Sequence, residues 1–268
     1  MAMRRGLWPV GVVTVVLATL AGGARGEEPR PEQPPAEVPA GASKDWSVEL
    51  DLTYNSHYVW RGLNFTDDPV FQPSVTFAWK GLSVNAWGNM DLTDVNGNND
   101  EFNEVDLTVD YSGGVGKLAY SVGLIRYHFP NTPFPGTTEV YGSLGLDVPL
   151  SPTLTVYYDC DEADGAYATV GVGHTFADLV TLSEACSVSC EIGATVACAD
   201  EDYNAFYFGV ADAALVDAVL SVSFPVTVHE HITVTPAAHY SNILDDKLAA
   251  AAGKESNFWT GVSVTVGF

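Results

Sequence analysis

Positive charge is scarce in this chain. Its 268 residues carry 11 Lys+Arg against 34 Asp+Glu, a formal net charge of −23. Residues 1–26 contain Arg4, Arg5 and Arg25 and no acid, so the remainder of the chain holds 8 Lys+Arg against the same 34 Asp+Glu. A surface this acidic repels phosphate backbones and excludes nucleic acid as a partner. It remains compatible with binding or passing cations, and equally with a solvated acidic surface.

Long hydrophobic runs are as rare. One exists, Leu7 to Leu20, between the basic start Met1-Ala2-Met3-Arg4-Arg5 and Ala24-Arg25-Gly26. It is too short for a membrane-crossing helix, and its flanks read as a secretory signal peptide over 1–26, cut after Gly26. No cysteine follows the run, which argues against a lipid-anchored N-terminus. Cysteine itself is sparse. Cys186, Cys190 and Cys198 lie on one strand-like segment, where four residues span roughly 13 Å, beyond disulfide reach. Together with Cys160 they read as small hydrophobes.

Catalytic signatures are lacking too. There is no G-x-S-x-G and no H-E-x-x-H, and the six histidines are scattered. His229-Glu230-His231 offers two metal ligands where a site needs three or four. Asp94-Val-Asn-Gly-Asn-Asn-Asp-Glu101 has oxygen ligands, but its glycine stands at position four and not six of a calcium loop. Neither a cofactor, a metal nor an enzymatic activity is expected, although a membrane-embedded hydrolase would need only a His placed beside a nucleophile by the fold.

What the chain does have is alternation. Residues 27–44, rich in Pro and Glu, read as a disordered linker. From 45 to 268 one pattern persists, in twelve segments: 46–60, 69–79, 82–91, 103–112, 117–128, 138–148, 153–160, 166–176, 186–198, 217–227, 232–241 and 257–268. In the last, Phe258, Thr260, Val262, Val264, Val266 and Phe268 share one parity, and Asn257, Trp259, Gly261, Ser263, Thr265 and Gly267 the other. Most of the segments approach the roughly 9–11 residues that a tilted strand needs to cross a bilayer. The region 199–216 fits least well and is expected to be a long loop that holds part of a strand.

The connections sort by length. Those after even-numbered segments are tight: Lys80-Gly81, the glycines near 112–116, Pro149–Pro152, a stretch near Asp178, and 229–231. Those after odd-numbered segments are long and acidic. Long loops at one end, tight turns at the other and an even count predict an all-β fold, a transmembrane antiparallel up-and-down β-barrel of about twelve strands. Aromatics support this. Trp46, Trp79, Tyr111, Phe176 and Phe268 fall at the tight-turn ends of the apolar parity, and Phe71, Tyr158, Tyr240 and Phe258 at the long-loop ends, as two membrane-interface belts would. Phe268 also resembles the terminal signal read by the barrel-insertion machinery. Arg126 and His128 break the pattern, since their parity points at lipid; snorkelling or a bulge would accommodate them.

The opposite parity places Glu49, Asp51, Asp106, Asp110, Glu139, Asp147, Asp159 and Glu191 inside, where Lys117 and Arg61 are positioned to oppose them. Trp87, Tyr141, Tyr157, Tyr167 and Trp259 would narrow the bore. Carboxylates lining a water-filled pore favour cations. The expected protein is therefore an outer-membrane porin, embedded in outer-membrane lipid, that admits small solutes and prefers cations. The alternative is a non-conducting barrel serving as a scaffold or binding ligands through its loops.

Certain stretches also carry a family likeness: Tyr58-Val-Trp-Arg-Gly62, Asp68-Pro69-Val-Phe-Gln72, Leu82-Ser-Val-Asn-Ala-Trp-Gly88, Glu104-Val-Asp-Leu107, Tyr111-Ser-Gly113 and Thr138-Glu-Val-Tyr-Gly142. In these the sequence resembles the TorF family of outer-membrane porins, over most of 45–268 and most strongly up to about residue 160. The resemblance implies a bacterial outer-membrane barrel. It brings no substrate or binding residues with it.

Overall fold

Alternating segments of this kind can satisfy their backbone polar groups only by lateral pairing, and in lipid that pairing has to close on itself. It does so here. The computed structural model describes residues 45–97, 99–183, 186–229 and 231–268; the signal peptide and linker expected over 1–44 lie outside them. In chain order the elements are β1 Trp46–Asn55, β2 Tyr58–Trp60, β3 Leu63–Thr66, β4 Val70–Trp79, β5 Leu82–Asp91, β6 Phe102–Val115, β7 Leu118–His128, β8 Thr138–Leu146, β9 Thr153–Asp159, β10 Gly165–Ser183 and β11 Cys186–Ala199. After these come helix α1 Glu201–Phe208, β12 Ala214–Ser223, β13 Val226–His229, β14 Ile232–Ile243, helix α2 Asp246–Ala252 and β15 Ser256–Gly267.

Each wall strand pairs antiparallel with the next, and β15 pairs with β1 from Glu49↔Gly267 to Asn55↔Gly261. β12 and β13 form one stave, both pairing with β11 and β14. Their ladder lapses at Phe224-Pro225 because proline has no N–H to donate. The result is a closed barrel of twelve staves. β2 and β3 pair with each other and stand apart from the wall sheet.

The outer surface carries the apolar parity, with Val, Leu and Phe exposed on every side. The belts are made of cross-strand neighbours. Trp46 pairs with Trp79, Trp79 with Leu82, and Leu82 with Tyr111 at the tight-turn end. Tyr54 pairs with Phe71, and Tyr240 with Phe258, at the long-loop end. Tyr158 is likewise exposed at its expected end, Phe176 is exposed but seven residues short of the end of β10, and Phe268 extends the ladder by accepting from and donating to Val48.

Two local expectations need correction, one gains a helix beside the start of β12 at Ala214, and for Arg126 one of two alternatives holds. The first segment does not run to residue 60: β1 stops at Asn55, and Tyr58–Trp60 turns into the β2–β3 hairpin. Nor does the chain turn at Asp178. There φ is +50° and the β10–β11 register shifts between Phe176 and Val180, so the hairpin absorbs a bulge and continues to Ser183. The region 199–216 contains helix α1, whose start is capped by Asp200 accepting from Tyr203 N and whose end is capped by the left-handed Gly209. Finally, β6 and β7 pair without a register shift, so Arg126 does point outward. It sits at the long-loop rim, donating to Thr138 Oγ1 at 2.9 Å and to Asp161 at 2.8 Å.

Candidate functional site

The β2–β3 hairpin begins as ordinary loop between two wall strands. Its tip is the dipeptide Arg61-Gly62, with φ of +47° and +83°, flanked by the pair Trp60↔Leu63. Two left-handed residues in a row make the tight turn whose twist suits a hairpin, and Asn-Gly is the usual choice for it. An L-residue with a long side chain costs about 1–2 kcal/mol in that conformation. Arg61 is therefore not there for the turn.

It is there for what its guanidinium meets. The hairpin folds into the barrel's long-loop mouth and reaches the opposite wall. A Cβ on Gly62 would stand 3.1 Å from Ile243 and 3.2 Å from Asp217, a tight fit that, with φ of +83°, favours glycine. From that tip, Arg61 Nη1 and Nη2 donate to Glu139 Oε1 and Oε2, each at 2.8 Å, and Nη1 also donates to Tyr203 Oη at 3.1 Å. The guanidinium carbon lies 4.4 Å from the Trp60 ring centroid, 4.6 Å from Tyr157, 4.4 Å from Tyr167 and 5.6 Å from Tyr203. Tyr127 donates to Glu139 Oε2 at 2.9 Å. Side-chain exposure is 4% for Arg61 and 0% for Glu139. A forked two-point bond is the strongest geometry open to such a pair.

Helix α1 closes the cage from the side. Asp200 ties it to the wall by accepting from Ala166 N at 2.8 Å. The helix backbone lies so close to β10 that a Cβ on Gly165 would meet Tyr203 N at 2.2 Å. Tyr203 and Tyr207, one turn apart, then face the lumen. Tyr207 packs on Trp60, with ring centroids 5.1 Å apart, and donates to Asp159 Oδ2 at 3.4 Å. Tyr167 donates to Asp217 at 2.9 Å. The hairpin's far side is fixed through Asn257, which donates to Gly62 O and accepts from Asn64.

The sequence-predicted lumen residues sort into three groups. Glu139 and Asp159 belong to the plugged mouth; Thr137 donates to Asp159 Oδ1 at 2.6 Å, and the same oxygen receives the Asp161 and Glu162 amides. Asp51 and Asp106 share a row across the wall, Asp51↔Ser74↔Trp87↔Asp106, and Thr265 donates to Asp51 at 2.7 Å. Four residues beyond Asp106 along β6, further from the long-loop end, Asp110 accepts from Tyr141 at 2.7 Å. Glu49 follows the same inward parity opposite Thr76, and Glu191 lies on the far wall, accepting from Ser223 at 3.1 Å. Asp147 stands outside these groups. β8 ends at Leu146, and Asp147 is exposed in the following turn, its amide bonded to Lys117 O at 2.8 Å.

Arg61 is the one buried Lys or Arg among the described residues, and Lys80, Lys117, Arg126, Lys247 and Lys254 are exposed. Glu139 has this cation as its partner, whereas Asp51, Asp110, Asp159 and Asp217 have hydroxyl partners.

Sequence reasoning missed Tyr203, Tyr207 and Asp217. The first two had a signal: Asp200 followed by acidic residues and a glycine nine positions on is a helix start and stop, hidden because alternation was the pattern sought. Asp217 sits on the inward parity of β12 opposite the hairpin tip, and nothing local marks it.

A nucleophile does lie beside a histidine. Ser56 Oγ is 2.8 Å from His57 Nδ1, and His57 Nε2 is 3.3 Å from Asp67. Asp67, however, is held by Lys254 at 2.7 Å and Asn64 at 2.8 Å. These hydrogen bonds, Lys254 first, hold its carboxyl below the usual range. A carboxylate so neutralised does little to stabilise an imidazolium. Ser56 Oγ also accepts from Thr260 N at 3.0 Å, which makes the trio a clamp between the first loop and β15.

A family described as a bacterial protein of unknown function (Gcw_chp) matches residues 39–159, the stretch that contains the hairpin and the wall through β9. No curated protein matches the chain. Among solved structures, the KdgM porin in complex with disordered oligogalacturonate is similar over 83% of this chain and 99% of its own, with 10% identity and a TM-score of 0.50. LpxR from Salmonella typhimurium is similar over 81% and 99%, with 8% identity and a TM-score of 0.51. At such identities the likeness is one of fold, that of porin-like outer-membrane barrels.

Proposed function

We propose that this chain is an outer-membrane porin of the TorF type, that it passes small solutes by diffusion with a preference for cations, and that the Arg61 hairpin constricts its long-loop mouth. The observation that carries the reading is the charge of the lumen. Asp51, Asp106 and Asp110 are buried in the wall, and the one buried Lys or Arg among the described residues is bound to Glu139 at the mouth. Carboxylates lining a narrow bore raise the local concentration of cations and repel anions. The TorF likeness points the same way, because its motif Tyr58-Val-Trp-Arg-Gly62 is the plug hairpin itself. No catalytic step or cofactor enters the mechanism. Outer-membrane lipid around the aromatic belts, and the barrel-insertion machinery acting on Phe268, complete the partners this reading requires.

Conductance in planar bilayers under a salt gradient tests it. The folded protein should show discrete steps whose reversal potential favours the cation, and the triple variant Asp51→Asn, Asp106→Asn, Asp110→Asn should move that potential toward zero. A second reading is favoured by the depth of the plug: a closed barrel that presents its acidic loops to a ligand. Absence of conductance from both wild type and hairpin variants would select it and overturn the porin.

A further inference from the structure

The mouth of the barrel contains a cage whose present occupant is part of the chain. Its other components are carried by elements outside the hairpin: Glu139 on β8, Tyr157 on β9, Tyr167 on β10 and Tyr203 on α1. One carboxylate presents both oxygens to both terminal nitrogens of a planar cation. Tyr127 holds that carboxylate in position, and three phenol rings surround the cation at 4.4–5.6 Å. Forked acceptors matched to stacked rings select guanidinium over ammonium, whose three donors diverge from a point. Arg61 occupies the site from a left-handed turn at φ +47°, so the tether that delivers it is itself strained.

From this we infer that the cage is a guanidinium-binding site, filled in this state by Arg61, and that small guanidinium-bearing cations entering from the long-loop side compete for it and release the hairpin. The inference rests on reading the hairpin as a plug, and it names the solute class that operates the plug. The acids bordering the cage, Asp159 and Asp217, favour entry of a cation. Arg61 competes as an intramolecular ligand with an effective concentration on the order of millimolar. A free competitor must therefore reach roughly tens of millimolar in the wild type, whereas a chain lacking Arg61 should bind it at lower concentration.

Ethylguanidinium chloride, the arginine head group on a two-carbon stem, is the probe, with ethylammonium chloride as control. Arg61→Ala in detergent should melt at a lower temperature than wild type. Ethylguanidinium should restore most of the lost interval, ethylammonium little of it, and Arg61→Ala with Glu139→Ala none. Equal responses to the two cations, or a response that survives loss of Glu139, would overturn the assignment. If Arg61→Ala does not fold, hydrogen exchange on the wild type decides. Ethylguanidinium should speed exchange of the Val59–Leu63 amides while the β14–β15 amides stay protected, and an unchanged hairpin would overturn displacement. Melting and exchange need no current, so a failure here is separable from a failure of the porin reading.

Discussion

The two ends of this lumen handle buried carboxylates differently. At the long-loop end, Glu139 meets a guanidinium through two bonds of 2.8 Å, with a tyrosine behind it. Toward the tight-turn end, Asp51 and Asp110 meet threonine and tyrosine hydroxyls. A buried charge removed from water needs an opposite charge, several hydrogen bonds or residual solvent. Glu139 uses the first solution, and Asp51 and Asp110 use the second.

The comparison can be broken most severely at the latch. Glu139→Ala leaves the Arg61 guanidinium buried without its carboxylate, and loss of one partner of a buried pair costs about 3–5 kcal/mol. The expected result is release of the hairpin while the β-barrel persists, seen as lost protection of residues 58–66 in hydrogen exchange with an unchanged far-ultraviolet β spectrum. Concurrent loss of the barrel would show that the plug is part of the fold's core and not a separable element. Tyr167→Phe is a milder cut. It removes the hydroxyl on Asp217 but keeps a ring beside Arg61, so the loss should be about 1–3 kcal/mol, measured by thermal melting in detergent.

Neutralising Asp51, Asp106 and Asp110 sharpens the comparison from the other side. Because these acids are proposed to act on ions and not on packing, the triple Asn variant should change selectivity with little change in melting temperature. A large loss of stability with unchanged selectivity would reverse that assignment.

The smallest effect is expected outside the lumen. Lys254→Ala removes an exposed ion pair with Asp67 and should cost less than about 1 kcal/mol. The carboxyl of Asp67 is held below its ordinary value of 3.8, first by the Lys254 hydrogen bond. The clamp is therefore fully present above the unfolded carboxylate range and weakens as pH falls through the depressed folded value. Loop exchange in wild type should rise only under strong acid, and Lys254→Ala should shift that rise to higher pH.

The barrel could be read from the chain because each of its causes is local and repeated. Period two sets which side chains face outward, turn length sets the two ends, and Trp79, Tyr111 and Phe258 stand exposed on the outer face. The plug could not be read this way. Tyr58-Val-Trp-Arg-Gly62 alternates as convincingly as the strand before it, and nothing within it says that the chain leaves the wall after Asn55. Glu139 was legible as an inward acid but not as the partner of Arg61, 78 residues away.

Sequence alone thus determined the cylinder, its polarity and its acidic interior, since parity and charge follow from residue order without knowledge of neighbours. Tertiary structure decided where Arg61 would sit and which acid it would neutralise. Those choices depend on the diameter that twelve staves impose and on a helix and a hairpin meeting across it, distances that no local pattern encodes.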